Sequence, residues 1–455
     1  MKHSEKLFVI ALTSLLLGGC LTVRLPGTRI QRNSQPEVIT WPRLVEKTLQ
    51  FNPDLQSARY VITSAARSRD IAFGDYLPSF DGEVQRTASR SAFSGSSGGS
   101  SGSSGSGGGG GLQDNLSLDL MGSQSLFNGF GTTGSFLKAR RDLDAARMQY
   151  LVTNANVRNT LRLAYVDVLR WNDLLKAYRT IADRRKKNAE MVRLLYEAGR
   201  ENLGSSMRAA ALSEQAAYNL RQAERHIESQ TIRLGRECGN GFVLPVVIDD
   251  ALDRTLPVAA MRDPDYVEIA EETPQVARLV KVAESAKANI VAAQSAVWPQ
   301  VNGTVDYGDS GARASNLKSE HSWGLNVLVP FFNGGKNVNA IRKAKADYDT
   351  AHALAVSARD EAVAQLADAW VKYMDAIESV AVTKKFLESS QKRAEIVRTE
   401  YATGLMIFQD FDTAEQELDN SITNYVQSLA DVLNGQANFE LIRGKTLEDD
   451  LNAKK

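Results

Sequence analysis

Two hydrophobic patterns alternate along this chain, and each occurs twice. From Thr132 to about Ala198 the positions Phe136, Ala139, Leu143, Ala146, Tyr150, Thr153, Val157, Thr160 and Ala164 recur at steps of three and four with no proline between them. In the second half Ile341, Ala344, Tyr348, Ala351, Ala355, Ala358, Ala362, Gln365 and Ala369 repeat the pattern. Such spacing lays a single stripe along a helix. At about 1.5 Å per residue, ~67 residues make a helix near ~100 Å long, far beyond the ordinary globular length. A stripe this rich in alanine allows close approach but buries little area per residue, so each long helix needs partners on both sides.

Ahead of each long helix the period falls to two, which is the signature of a strand. Phe80, Gly82 and Val84 alternate with polar residues, as do Leu116, Leu118 and Leu120. The second copy has Val301, Gly303, Val305 and Tyr307, then Trp323, Leu325, Val327 and Val329. The spacing predicts strands over about 79–93, 113–127, 300–308 and 321–331. Strands of about ten residues are long enough to cross a bilayer when tilted. Shorter helical stretches precede the strands. One enters Asn52-Pro53 from Trp41; a second runs from Asp54 and stops at Leu77-Pro78, because a residue before proline avoids the helical region. Gln275 to Trp298-Pro299 repeats the latter.

The long helices, expected over 132–198 and 335–403, end at Gly199 and Gly404, where glycine suits a left-handed cap. Returning helices are expected over 205–238 and 410–443. A returning helix of about 34 residues plus an entering one of about 24 nearly equals one long helix, so the two should stack end to end beside it.

The halves superpose without a gap. Asn128 and Asn333 lie 205 positions apart, as do Tyr165 and Trp370, Tyr196 and Tyr401, Gly199 and Gly404, and Gly239 and Gly444. Upstream, Pro53 and Pro274 lie 221 apart, as do Pro78 and Pro299. The extra 16 positions fall in Ser94 to Gly111, which is glycine and serine throughout and cannot bury apolar area. The duplication argues for one intertwined unit of two repeats, 41–240 and 265–444, joined by an irregular connection at 241–264 and followed by a tail at 445–455.

Residues 1–19 have the form of an export signal: Lys2 and Lys6 precede an apolar run, Leu7 to Leu17, too short for a spanning helix. Leu17-Gly18-Gly19-Cys20 resembles a bacterial lipoprotein box, making Cys20 the acylated first residue of a linker over 20–40. Cys238 is then the remaining cysteine, so no disulfide forms within the chain. No other stretch reaches the ~18 apolar residues of a membrane helix, so a membrane crossing would use strands. Lysine plus arginine equals aspartate plus glutamate at 54 each, which does not point to nucleic acid. His3, His226, His321 and His352 are scattered and suggest no metal site.

Between strand and long helix stand Leu126-Phe127-Asn128-Gly129 and Phe331-Phe332-Asn333-Gly334. Tyr76, Phe80, Phe127, Phe130, Trp298, Phe331 and Phe332 gather at this end of the strands, as an aromatic girdle at a membrane interface or as a core cluster at a domain junction. Gly129, Gly131 and Gly134 have the spacing of a dinucleotide fingerprint. The following helix is too long for a βαβ crossover, and Asn154 and Asn156 stand where an acidic residue belongs, so no nucleotide cofactor is expected. Gly334-Gly335-Lys336 lacks the first glycine and the final Ser or Thr of a phosphate loop, and no nucleophile or paired carboxylates stand out. The chain is not expected to be an enzyme. Asp410 and Asp412 follow the second turn; Asp410 reads as an N-cap, as part of an acidic ring around an axis, or as both.

Asn52-Pro53-Asp54-Leu55, Leu77-Pro78, Leu126-Phe127-Asn128-Gly129, Pro330-Phe331-Phe332-Asn333-Gly334-Gly335 and the Tyr-x-x-Gly turns at Tyr196 and Tyr401, in this order, resemble the outer-membrane efflux protein family. These are the TolC-type channels of tripartite pumps and type I secretion. The resemblance implies a mainly α fold with a transmembrane β-barrel. In it, three chains close a 12-stranded barrel that continues into a periplasmic α-helical tunnel. It also implies a homotrimer in the outer membrane that works with a periplasmic adaptor protein and an inner-membrane pump, and conducts passively. The inward-coiled hairpin turns would form its gate. By position, Asp410 matches the family's acidic aperture site and Ser205 the first-repeat position where an acid is often found. The alternative is a lipid-anchored periplasmic adaptor, which should have one hairpin between compact β-domains rather than two hairpins and two strand pairs.

Overall fold

The computed structural model describes residues 32–38, 40–90, 112–239, 244–248, 250–255, 264–311 and 316–452. The export signal, Cys20 and the glycine–serine stretch 94–111 lie outside the described residues.

The first repeat comprises α1 (Trp41–Phe51), α2 (Pro53–Gly74), strands β2 (Ser79–Arg90) and β3 (Leu112–Phe127), the long α3 (Gly131–Glu197) and the returning α4 (Leu203–Glu237). The second comprises α5 (Tyr266–Glu272), α6 (Pro274–Gln294), strands β5 (Gln300–Gly311) and β6 (Lys318–Leu328), the long α7 (Lys336–Thr403) and the returning α8 (Phe408–Ile442). Two shorter strands, β1 (Arg32–Val38) and β4 (Leu244–Val247), and a last helix, α9 (Leu447–Asn452), complete the chain.

Entering and returning helices do meet end to end. The Asn52 side-chain oxygen caps α2 by accepting from the backbone N–H groups of Asp54 (2.9 Å) and Leu55 (3.2 Å). Its amide nitrogen donates to the Glu237 carbonyl at the end of α4 (2.8 Å). One asparagine thus ends one helix and starts the next. The stacked pair α2 and α4 lies along one flank of α3, and the pair α6 and α8 lies along the other. α7 packs against α6 and α8. Close packing of α3 on α6 depends on Gly134, where a Cβ would come within 2.7 Å of the Ala292 Cα.

The four long strands form one antiparallel sheet in the order β2-β3-β5-β6, with β2 and β6 as open edges. Its register divides the side chains cleanly. Phe80, Gly122, Val305 and Trp323 share one face, as do Gly82, Leu120, Tyr307 and His321. Asp81, Met121, Asp306 and Ser322 share the opposite face with Ser79, Ser123, Thr304 and Gly324. Phe80, Val305 and Trp323 are 70%, 61% and 82% exposed, so the chain itself leaves the apolar face uncovered. A bulge between Ser125 and Phe127 pairs Phe127 with Val301 and so returns this ring to the apolar face.

Four sequence expectations need correcting. The 20–40 linker is not wholly irregular, because β1 lies within it and pairs in parallel with β4, inside the 241–264 connection. Alternation is blind to such pairing, which depends on a partner some 200 positions away. Residues 445–455 are more than a tail: α9 closes the middle of the molecule, and Leu447 is fully buried. Arg158 of α3 reaches Glu440 (2.5 Å) and Asp450 (2.7 Å), and Asn154 donates to Glu448 (2.5 Å) and accepts from the Leu447 N–H (2.9 Å). Desolvation opposes the Arg158 charge, but Asp450 and Glu440 outweigh it and hold the group charged. β6 ends at Leu328, which leaves Val329, Phe331 and Phe332 beyond the sheet, whereas β5 extends to Gly311. The returning helices begin at Leu203 and Phe408, ahead of Ser205 and Asp410.

Candidate functional site

At the end of the strands, each long helix begins with the same device. Gly129 and Phe130 take φ of +63° and +68°, and Gly334 and Gly335 take +68° and +78°. Two successive left-handed residues turn the chain sharply into the helix, and Phe130 is the one non-glycine among the described residues to do so. Gly129 could not be replaced without strain, since a Cβ there would press on Trp298 and stand 2.9 Å from the Ser295 carbonyl. Asn128 then holds the first turn: its oxygen accepts from the Thr132 N–H (3.3 Å) and its amide donates to the Thr132 hydroxyl (2.6 Å). Asn333 holds Asn337 in the same way, accepting from its N–H at 3.4 Å and donating to its side chain. Thr132 and Asn337 are themselves 205 apart, so the junction is duplicated down to its hydrogen bonds. Phe127 meets Phe130 edge-on with ring centres 5.6 Å apart, and Phe331 and Phe332 are 93% and 88% exposed. Aromatics this bare at the foot of an apolar sheet face fit a membrane boundary better than a core cluster.

At the far end the two hairpins turn side by side. Gly199 (φ +73°) and Gly404 (φ +86°) close α3 and α7. In each turn the next residue's N–H returns to the last helical turn: Arg200 to the Leu195 carbonyl (2.9 Å) and Leu405 to the Glu400 carbonyl (2.8 Å). This is a Schellman closure, and it requires the left-handed residue. Asn202 caps α4 by accepting from the Ser205 N–H (2.9 Å). α8 has Ile407 at the cap with no side-chain bond, so Asp410 is not the N-cap. Ser205 and Asp410 occupy the same third position of their helices. Asp410 is exposed and has no ion pair with a described residue, while Ser205 is buried.

Asp412 does not stand beside Asp410 at the surface. It is 3% exposed and turned inward onto Arg185 (3.2 Å) and Arg208 (2.8 Å). Those contacts belong to a larger cluster. Arg185 also reaches Asp419 (2.6 Å), Arg184 binds Asp419, and Arg398 donates to fully buried Glu415 (3.0 Å). Arg184 Nε lies 2.9 Å from Glu415 Oε2 but off the hydrogen-bond direction, so that contact is coulombic. Four guanidiniums from α3, α4 and α7 therefore enclose three carboxylates of α8 and tie both hairpins together. For Asp419, burial outweighs Arg185 and Arg184 and pushes the carboxyl above its usual value. Breaking such a cluster is costly, because removing one partner leaves the other buried and uncompensated, at about 3–5 kcal/mol.

Nearer the turn, Tyr401 stacks on Phe411 at 4.6 Å and donates to Glu201 (2.8 Å). Glu201 also accepts from the Asn202 N–H (2.9 Å). Desolvation raises this carboxyl, but the hydrogen bonds from Asn202, Tyr401 and Ser205 outweigh it and hold Glu201 below the ordinary value. Burial, then the Glu201 charge, pushes the Tyr401 phenol well up. Glu201 supplies the first-repeat acid that position 205 lacks. The sequence signal for it is slight, a glutamate two residues past Gly199.

The pattern of the outer membrane efflux protein family matches residues 44–240 and 266–445. Outer membrane protein OprJ of Pseudomonas aeruginosa is 24% identical over 210 residues, 43% of this chain and 44% of its own length. The chain thus aligns with less than half of that relative. Among solved structures, VceC of Vibrio cholerae superposes with a TM-score of 0.74 at 19% identity, over 89% of this chain and 96% of its own. The open-state MtrE outer membrane channel of Neisseria gonorrhoeae gives 0.77 at 17% identity, over 93% and 99%. At these identities the likeness is one of fold. With both repeats matched, this chain belongs to the outer membrane efflux protein family.

Proposed function

We propose that three copies of this chain form the exit duct of an efflux pump or type I secretion system, conducting substrates passively from the periplasm to the outside. The observation that carries this reading is the agreement between two kinds of open edge. α2 and β2 end one side of the molecule, and α7 and β6 end the other. An open sheet edge is not tolerated in lipid, so β2 of one copy must meet β6 of the next, which also brings α2 and α4 against α7. Three four-stranded sheets give twelve strands, with the apolar face toward lipid and the polar face lining water. The aromatic junctions at Phe127–Gly129 and Phe332–Gly334 then mark the periplasmic side of the outer membrane. Acylated Cys20 would add an anchor.

No helix among the described residues is long and apolar enough to cross a membrane, in keeping with strands as the crossing elements. A periplasmic adaptor is not favoured, given the family match and the duplicated strand pair. In this reading the turns at Gly199 and Gly404 gather near the duct axis, where Asp410 and Ser205 face the aperture. Docking of an adaptor and an inner-membrane pump opens it and supplies the energy. The test is detergent extraction of the mature chain, followed by mass determination and insertion into planar bilayers. A trimer with stepwise conductance is expected. A water-soluble monomer without conductance overturns the reading.

A further inference from the structure

The polar face of the sheet carries more than a wetted wall needs. Glu83 on β2 stands directly opposite Asp119 on β3; Asp119 stands opposite Gly308 on β5, and Gly308 opposite Glu320 on β6. In the next row toward the helices Asp81 and Asp306 flank Met121. Among the described strand residues the same face has Lys318 as its single cation.

Like charges directly opposite one another weaken a strand pair, by up to about 1 kcal/mol. Serine, threonine and asparagine, which fill the neighbouring rows, would wet the face without that penalty. Gly308 adds an independent geometric feature, because a Cβ there would collide with Asp119 Oδ1 and lie 3.3 Å from its carboxyl carbon. The missing side chain lets the Asp119 carboxylate lean across β5 toward the strand that holds Glu320. The Ser322 hydroxyl donates to Asp306 (3.0 Å), and none of the five acids has an ion pair with a described residue. The result is a continuous acidic track across all four strands, on the face opposite Phe80, Val305 and Trp323.

We propose that this belt makes the barrel segment of the duct selective for cations and cationic organic substrates, independently of the charge at the hairpin tips. The inference rests on the reading that three copies close the sheet with its polar face inward. Each copy then contributes an equal arc of carboxylates around confined water backed by low-dielectric lipid. That geometry concentrates counter-ions. It acts as a field along the wall rather than as a pocket for one bound ion.

The test is the reversal potential of the purified trimer in planar bilayers under a potassium chloride gradient. The proteins compared are the wild type, Asp410→Ala, the triple variant Glu83→Gln/Asp119→Asn/Glu320→Gln, and all four substitutions together. The expected result is that the triple variant moves the cation-to-anion permeability ratio at least about twofold toward unity near 0.1 M salt, with or without Asp410→Ala. The difference should shrink at 1 M, where the screening length falls to ~3 Å. A conducting triple variant with the wild-type reversal potential overturns this proposal alone. Absence of conductance in the wild type overturns the duct reading, and this proposal with it. If the triple variant does not assemble, Glu83→Gln alone, at an exposed position, must give a smaller shift in the same direction; no shift overturns the proposal.

Discussion

α3 and α7 are two copies of one helix, yet their surroundings differ. α3 is flanked on both sides within the chain, by α2 and α4 and by α6 and α8, and buries 18 of its 67 residues. α7 is flanked on one side and buries 10 of 68. On α7 the residues Leu366, Ala369, Trp370 and Tyr373 face inward, while Leu354, Val382, Phe386 and Ile396 are more than half exposed. Leu354, Val382 and Ile396 are separated by whole heptads, so they lie on one line, on the side away from the core. The same repeat thus shows its satisfied form once and its unsatisfied form once, and α3 is a picture of what α7 lacks. A single chain is a segment of a ring.

The largest expected effect strikes the satisfied helix. Leu161 is fully buried on α3, and Leu161→Ala should destabilise the isolated chain by about 2–5 kcal/mol, read from denaturant melts of monomer held in detergent. A melt unchanged by that substitution would deny α3 its intramolecular core. Next comes the open flank. Phe386→Asp with Ile396→Asp should leave helix content and monomer melting nearly unchanged but abolish the trimer by light scattering, because desolvating two carboxylates opposes ring closure. Loss of helix content instead would mean that these residues belong to a core within the chain.

The hairpin tips sharpen the same contrast at finer scale. Asp410→Ala should raise single-channel conductance by relieving repulsion at the aperture while leaving trimer stability untouched. Asp412→Ala should lower stability by about 1–3 kcal/mol, since Arg185 and Arg208 lose a shared buried acceptor. Equal behaviour of the two variants would refute the division into an exposed and a sequestered acid. The smallest effect is in pH. Glu201 is held below its ordinary value of 4.5, so its contribution is present above that value and lost as pH falls through the depressed one. Thermal melts of the trimer should therefore lose slightly less stability on acidification in Glu201→Gln than in the wild type.

Much of the tip was legible in advance. Gly199 and Gly404 announced the turns, because only a left-handed residue closes a helix in this way, and their separation announced the duplication. The charge cluster was not legible. Arg184, Arg208, Arg398 and Glu415 look like ordinary charges on four helix faces, and nothing in local spacing says that those faces meet. Asp410 and Asp412 were indistinguishable as neighbours in sequence, but two positions along a helix turn a side chain by about 200°, enough to place one in water and the other in the core. Phe127 was misplaced by strict alternation until the bulge beside it was seen.

The sequence by itself determined the element types, their order and the twofold repeat, since helix and strand periods, proline stops and glycine caps are local properties of the chain. Tertiary structure alone decided which copy of the repeat is enclosed and which is open, how β1 finds β4, and how α9 seals the middle. It also decided which acids are neutralised. Those outcomes depend on contacts between residues far apart in sequence, and the energy of a buried charge or an apolar stripe is set by what it touches, not by its neighbours along the chain.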